Sequence, residues 1–211
     1  MILTKEQVQK DIDALPANYK TKDKDRLIKS YVKSRADVSD LRDHILKEQQ
    51  FHRIYYYVNL MQINDPMERV MFIDQNMFLS DWWHTDELIR FVADAEFVEV
   101  LPFAEKYMQS SDPFVRRWGY VLFISKLGRN RAEELLPFIR DDEAYPVQMG
   151  EAWLISELAV FEPQKVYEWF KGNSLAYSIN GKAIQKICDS YRVSDEWKER
   201  FKGLRKDLKK K

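Results

Sequence analysis

Apolar residues recur every three to four positions along nearly the whole chain, and strict alternation is almost absent. That spacing builds helices with one buried face and excludes a sheet protein, whose strands need period two. The chain has 211 residues but only 6 Gly and 7 Pro, too few for the tight turns of a β-sandwich. Hydrophobic residues make up 45% and aromatics 14%, enough to fill a core and to exclude a disordered chain. Helical segments are expected at 4–16, around Leu27–Val32, from Leu41 onward into 51–61, and at 66–74, 82–93 and 98–109. Further segments follow at 113–127, 131–140, 145–161, 163–171, 179–191 and 195–209. Thr4 with Gln7 has the form of a capping box at the start of the first. No Gly-rich linker divides the chain, so a single domain over 1–211 is expected.

The second half repeats itself. Leu101-Pro102-Phe103 returns as Leu136-Pro137-Phe138, and Ile124-Ser125-Lys126-Leu127 returns as Ile155-Ser156-Glu157-Leu158. Between the copies, Ser111-Asp112-Pro113-Phe114-Val115-Arg116-Arg117 resembles the inner turn of a HEAT repeat. Asp can cap the following helix, and Pro in its first turn costs no hydrogen bond. An isolated hairpin cannot bury its apolar face, so hairpins stack. The expected fold is therefore all-α, a curved solenoid of stacked antiparallel HEAT-like helical hairpins, and a monomer.

Charge bounds the function. Lys plus Arg equal Asp plus Glu at 34 each, so the chain lacks the basic excess of a dedicated nucleic-acid binder. The segment 65–112 carries 11 acids against 3 bases, leaving the remainder at +8. Residues 200–211 form a basic tail, expected to be a solvated helix end. The lone Cys188 lies among Ile184 and Ile187 and is expected to be buried and inert. His44 and His52 have no metal-ligand neighbours at useful spacing, and His84, beside the site motif, is expected to be exposed or half-buried and not a base. No metal or cofactor is implied. The absence of a long apolar run predicts no membrane span and a cytoplasmic protein.

Three patches carry a resemblance to a known family. Trp82-Trp83-His84-Thr85-Asp86, Phe114 to Tyr120, and Gly150-Glu151-Ala152-Trp153-Leu154 resemble, in order and spacing, three helices of the HEAT-like DNA alkylation-repair glycosylases, the AlkD-like family. The resemblance implies Asp86 as the catalytic carboxylate, Trp82 and Trp153 as aromatic walls, and Arg117 as the residue that holds the DNA backbone. It further implies excision of cationic N3- or N7-alkylated purines without metal or cofactor. Such a base is already a good leaving group. The carboxylate and the aromatic faces would stabilise the oxocarbenium-like sugar.

Arg116, at the usual HEAT arginine position, is expected to pair with an acid such as Asp112. The chain before Trp82 is shorter than in the family by one or two helices, and Asp81, Glu87 and Asp94 surround the site motif. Both departures imply weakened or lost duplex DNA binding and glycosylase activity, with a protein or peptide as the alternative partner. The other reading is an active monofunctional glycosylase, in which Asp86→Asn would abolish excision and leave folding unchanged.

Overall fold

The computed structural model describes residues 2–209; Lys210 and Lys211 of the basic tail, and the Tyr177 side chain, lie outside that description. Every regular element among the described residues is helical, and the one β-type contact is an isolated bridge between Ile2 and Asp37. No helix among them is long and apolar enough to cross a membrane. The chain divides into two compact units, Met1–Ser80 and Asp81–Lys211.

The first unit holds α1 (Lys5–Asp13), α2 (Thr21–Lys33), α3 (Gln49–Gln62) and α4 (Pro66–Gln75). Helix α1 opens on Thr4, whose hydroxyl accepts from the Gln7 N–H at 3.3 Å. The Gln7 side chain turns forward to Asp11 instead of back to the cap, so only half of the expected box forms. Asp65 caps α4 by accepting from the Glu68 N–H, and Pro66 follows at the first turn. Helix α3 is buried on several faces through Phe51, Ile54, Tyr56, Val58 and Leu60. The stretch before it does not extend it, as the spacing suggested. Ser39–Leu41 form a short 3-10 turn, and turns follow up to α3.

The second unit holds α5 (Trp82–Asp86), α6 (Ile89–Val92), α7 (Phe97–Met108), α8 (Pro113–Val121), α9 (Ala132–Leu135), α10 (Tyr145–Phe161), α11 (Pro163–Gly172), α12 (Tyr177–Asp189) and α13 (Asp195–Leu208). Helix α10 packs on α8 on one side and α12 on the other, so these three form one row, and α5 joins it against α8. Behind that row α7 packs on α8, α11 on α10, and α13 on α12. The central place of α10 explains its burial on nearly every face, from Val147 through Ala152, Leu154 and Ile155 to Ala159. Helix α13, at the end, shows the one-sided pattern of an outer helix, burying Phe201, Leu204 and Leu208.

Start signals act here as the sequence predicts. Asp112 accepts from the N–H groups of Phe114 and Val115 at 2.7 and 3.2 Å, with Pro113 next in the chain. Arg116 finds the acid partner expected of it, though not in Asp112. With that carboxylate committed to the cap, Arg116 reaches Asp142 across the next turn, with Nε 2.8 Å from Oδ2. Two expected helices break. Residues 82–93 split into α5 and α6, and 131–140 become α9 followed by a 3-10 turn at Leu136–Phe138, which Pro137 enters without an N–H to donate.

Helices α7 and α8 approach closely at Gly119. A Cβ there would lie 2.8 Å from Met108 Cγ and 3.0 Å from both the Ala104 carbonyl oxygen and the Met108 nitrogen. Two of those atoms are backbone and cannot rotate away. Gly119→Ala should therefore lower unfolding stability by about 1–3 kcal/mol in urea denaturation, despite the better helix propensity of alanine. An unchanged or higher midpoint would mean that the two helices separate at no cost.

Candidate functional site

The four residues singled out from sequence meet on the row α5–α8–α10. Arg117, on α8, is the centre. It is only 2% exposed. Its Nε donates to Thr85 Oγ1 at 3.0 Å, Nη1 to the Pro146 carbonyl at 3.1 Å, and Nη2 to Asp86 Oδ1 at 2.7 Å. Its guanidinium carbon lies 4.6 Å from the centre of the Trp82 ring and 6.0 Å from that of Trp153. One buried cation thus ties α5 to α10. Gly150 makes room for it, because a Cβ at that position would stand 3.2 Å from Arg117 Cγ.

Asp86 sits at the end of α5 with its side chain 35% exposed. Oδ1 takes the ion pair and lies 3.0 Å from the Thr85 hydroxyl, whose single hydrogen goes there or to the Trp82 carbonyl at 2.8 Å. No described residue hydrogen-bonds to Oδ2. Asp86 lines a cleft of about 660 Å³, shared with Arg90, Lys126, Arg129, Glu157 and Arg192. Arg192 forks onto Glu157 at 2.7 and 2.9 Å, while the Arg129 guanidinium rests 5.2 Å from the Phe161 ring centre. The cleft therefore carries more cations than anions. The flanking acids are partly neutralised: Asp81 caps α5 through the Trp82 N–H, and Asp94 pairs with Lys126 at 2.7 Å.

Trp82 and Trp153 are both half-buried. Trp82 meets Tyr145 edge-on at 5.7 Å and Phe114 at 6.5 Å. Beside Trp153 lies a residue that sequence reasoning missed, Lys186 of α12, its Nζ 5.9 Å from the ring centre. Burial and the nearby Arg117 charge push its ammonium below the usual lysine range, and Asp86 pulls the other way. A lysine on an amphipathic helix gives no sequence sign of this; only the α10–α12 contact brings it to the site.

Two residues depart from expectation, and a third, Glu151, adds a buried carboxyl. His84 is fully buried, its ring 4.1 Å from that of Trp83. Cys188 is half-buried, its thiol raised by burial. Glu151, next to Gly150, is 0% exposed. Its Oε1 accepts from the Arg140 N–H at 3.0 Å, and burial pushes its carboxyl up to about 8.

Chemically, the arrangement is a half-exposed carboxylate with one oxygen fixed and one open, bordered by two indole faces. Such a set can stabilise a cation. The adjacent Arg117 makes the local pair neutral, which reduces that pull. Comparison with protein-family models, with curated proteins and with solved structures finds no match for this chain.

Proposed function

We propose that this chain is a HEAT-like helical-repeat protein of the AlkD-like DNA alkylation-repair type that retains the carboxylate pocket and has weakened or lost DNA binding and glycosylase activity. The stacking of α7 on α8, α11 on α10 and α13 on α12 supports the hairpin reading. The observation that carries the functional one is the commitment of Arg117. Each of its three nitrogens donates within the protein, to Thr85, Pro146 and Asp86, and the residue is only 2% exposed. On this reading Arg117 positions Asp86 and does not grip a backbone. A nucleic-acid ligand would then lose one charge-assisted contact, and the carboxylate would meet a developing cation as half of a neutral pair.

A second reading, an active glycosylase for cationic N3- or N7-alkylated purines, is favoured by one observation. Asp86 Oδ2 has no described partner and opens on a cleft lined by Arg90, Lys126, Arg129 and Arg192. Asp86→Asn separates the two. The retained-pocket reading predicts release of 7-methylguanine close to the spontaneous rate for both proteins. The enzymatic reading predicts a clear rate in the parent that falls by about 100-fold in the variant. Under either reading Asp86→Asn should also cost about 1–2 kcal/mol of stability, because Arg117 stays buried with a neutral acceptor in place of its carboxylate. That differs from the expectation of unchanged folding.

A further inference from the structure

Residues of α10, α12 and α13 line a second, open cavity of about 400 Å³. Three cations line it: Lys182, Lys186 and Arg205. None of them forms an ion pair with a carboxylate among the described residues, although many of the chain's other cations do. Lys182 Nζ donates to the Ser178 carbonyl at 3.2 Å, and Arg205 Nη1 donates to the neutral Gln185 amide oxygen at 2.6 Å. The single acid in the lining, Asp189, accepts from the other end of that same Gln185 at 2.8 Å. The cavity thus gathers three positive charges against one negative in a chain whose net charge is zero.

Like charges held together in a partly dry space repel, and an anion removes that cost. Lys186 is half-buried at the wall, and burial, with the Arg117 charge behind it, lowers its hold on the proton against the pull of Asp86 and Asp189. Beside Ser178 and Gln185, the wall offers apolar surface from Met149 and the lysine stems, so the space takes more than a bare ion. Arginine and two lysines converging from two helices match the tetrahedral oxygens of a phosphate.

We propose that this cavity is a phosphate-binding site for a phosphorylated ligand of nucleotide size, with Lys182, Lys186 and Arg205 as the phosphate contacts and Met149 against the ligand body. The cavity shares Lys186 with the surroundings of Trp153, and the proposal holds whether or not Asp86 acts on a nucleotide. The phosphate can come from a free nucleotide or from a nucleic-acid strand.

The test is calorimetric titration of the full chain at low salt with inorganic pyrophosphate, with a thymidine mononucleotide and with a ten-residue oligothymidylate. Two proteins are compared with the parent: Lys182→Gln with Arg205→Gln together, and Lys22→Gln, exposed on α2 of the first unit, as a control. Saturable pyrophosphate binding, weakened about tenfold or more in the double variant and unchanged in the control, is the expected result. Tighter binding of the oligonucleotide than of the mononucleotide would identify a strand as the source; the reverse order would identify a free nucleotide. No saturable binding of any probe, or equal affinity in parent and double variant, overturns the site. Because no probe is alkylated and none requires Asp86, this failure is distinct from a failure of the glycosylase comparison.

Discussion

Replacing Arg117 with methionine should destabilise the second unit by about 3 kcal/mol, within the range for removing one partner of a buried pair. The methionine fills much of the stem volume, so the loss comes from the head group. Thr85 Oγ1 and the Pro146 carbonyl lose a donor, Asp86 loses its counter-charge, and the Trp82 face loses a cation at 4.6 Å. Asp86 is part-exposed and regains water, which keeps the cost below the upper end of that range. Arg117→Lys should recover only part, because an ammonium cannot reach three acceptors in the plane of a guanidinium. Urea denaturation gives the difference, and tryptophan emission should shift red as Trp82 and Trp153 gain water. A cost under about 0.5 kcal/mol, the size of an ordinary surface substitution, would mean that Arg117 does not hold α5 to α10.

Stability should fall as pH rises from about 4.5 to about 8, and Glu151→Gln should remove that slope. Glu151 is fully buried, with Oε2 lacking a hydrogen bond among the described residues, and its carboxyl is pushed from 4.5 up to about 8. Burial is the largest cause, opposed by the Arg140 N–H and the Tyr120 hydroxyl, with Asp142 and Asp141 adding to the rise. Between the two values the folded chain binds a proton here that the unfolded chain has lost. Unfolding free energy therefore drops, by up to about 1.4 kcal/mol per pH unit, and levels off above the folded value. Glutamine keeps an acceptor for Arg140 and has nothing to ionise. The parent and the variant should converge near pH 4.5 and diverge by several kcal/mol near pH 8, with the variant the more stable. Parallel curves across that range would contradict a protonated Glu151.

Much of the helical order was legible because caps and periodicity agree locally. Asp112-Pro113 and Asp65-Pro66 start helices where their chemistry says they should, and α10 spans the predicted 145–161. The misses fall where tertiary packing decides. Residues 82–93 read as one apolar-periodic segment, yet the chain breaks after Asp86 and restarts at Ile89, leaving Leu88 and Phe91 both buried. Pro102 was no barrier to α7, whereas Pro137 in the matching repeat ends regular α-helix within a turn. The repeat motif is the same, so its letters alone do not set the outcome.

The convergence of Trp82, Asp86, Arg117 and Trp153 was legible from three short patches in order. The use made of Arg117 was not. Sequence assigns an arginine to a helix face; it does not tell whether its nitrogens end on a carbonyl, a hydroxyl and a carboxylate or on solvent. Arg116 is the same lesson in reverse, since its neighbour Asp112 was the obvious partner and Asp142, 26 residues on, is the real one. Glu151 sat inside a quoted patch, but a glutamate beside a glycine reads as surface until α8 and α10 are seen in contact.

The most direct measurement is single-turnover release of 7-methylguanine from methylated duplex DNA, set against spontaneous depurination and against Asp86→Asn. A carboxylate committed to a buried arginine predicts release within a few fold of the spontaneous rate, unchanged in the variant, from a protein that folds cooperatively. Release at least about 100-fold above the spontaneous rate, and lost with Asp86, would contradict it and establish the pocket as a working glycosylase site.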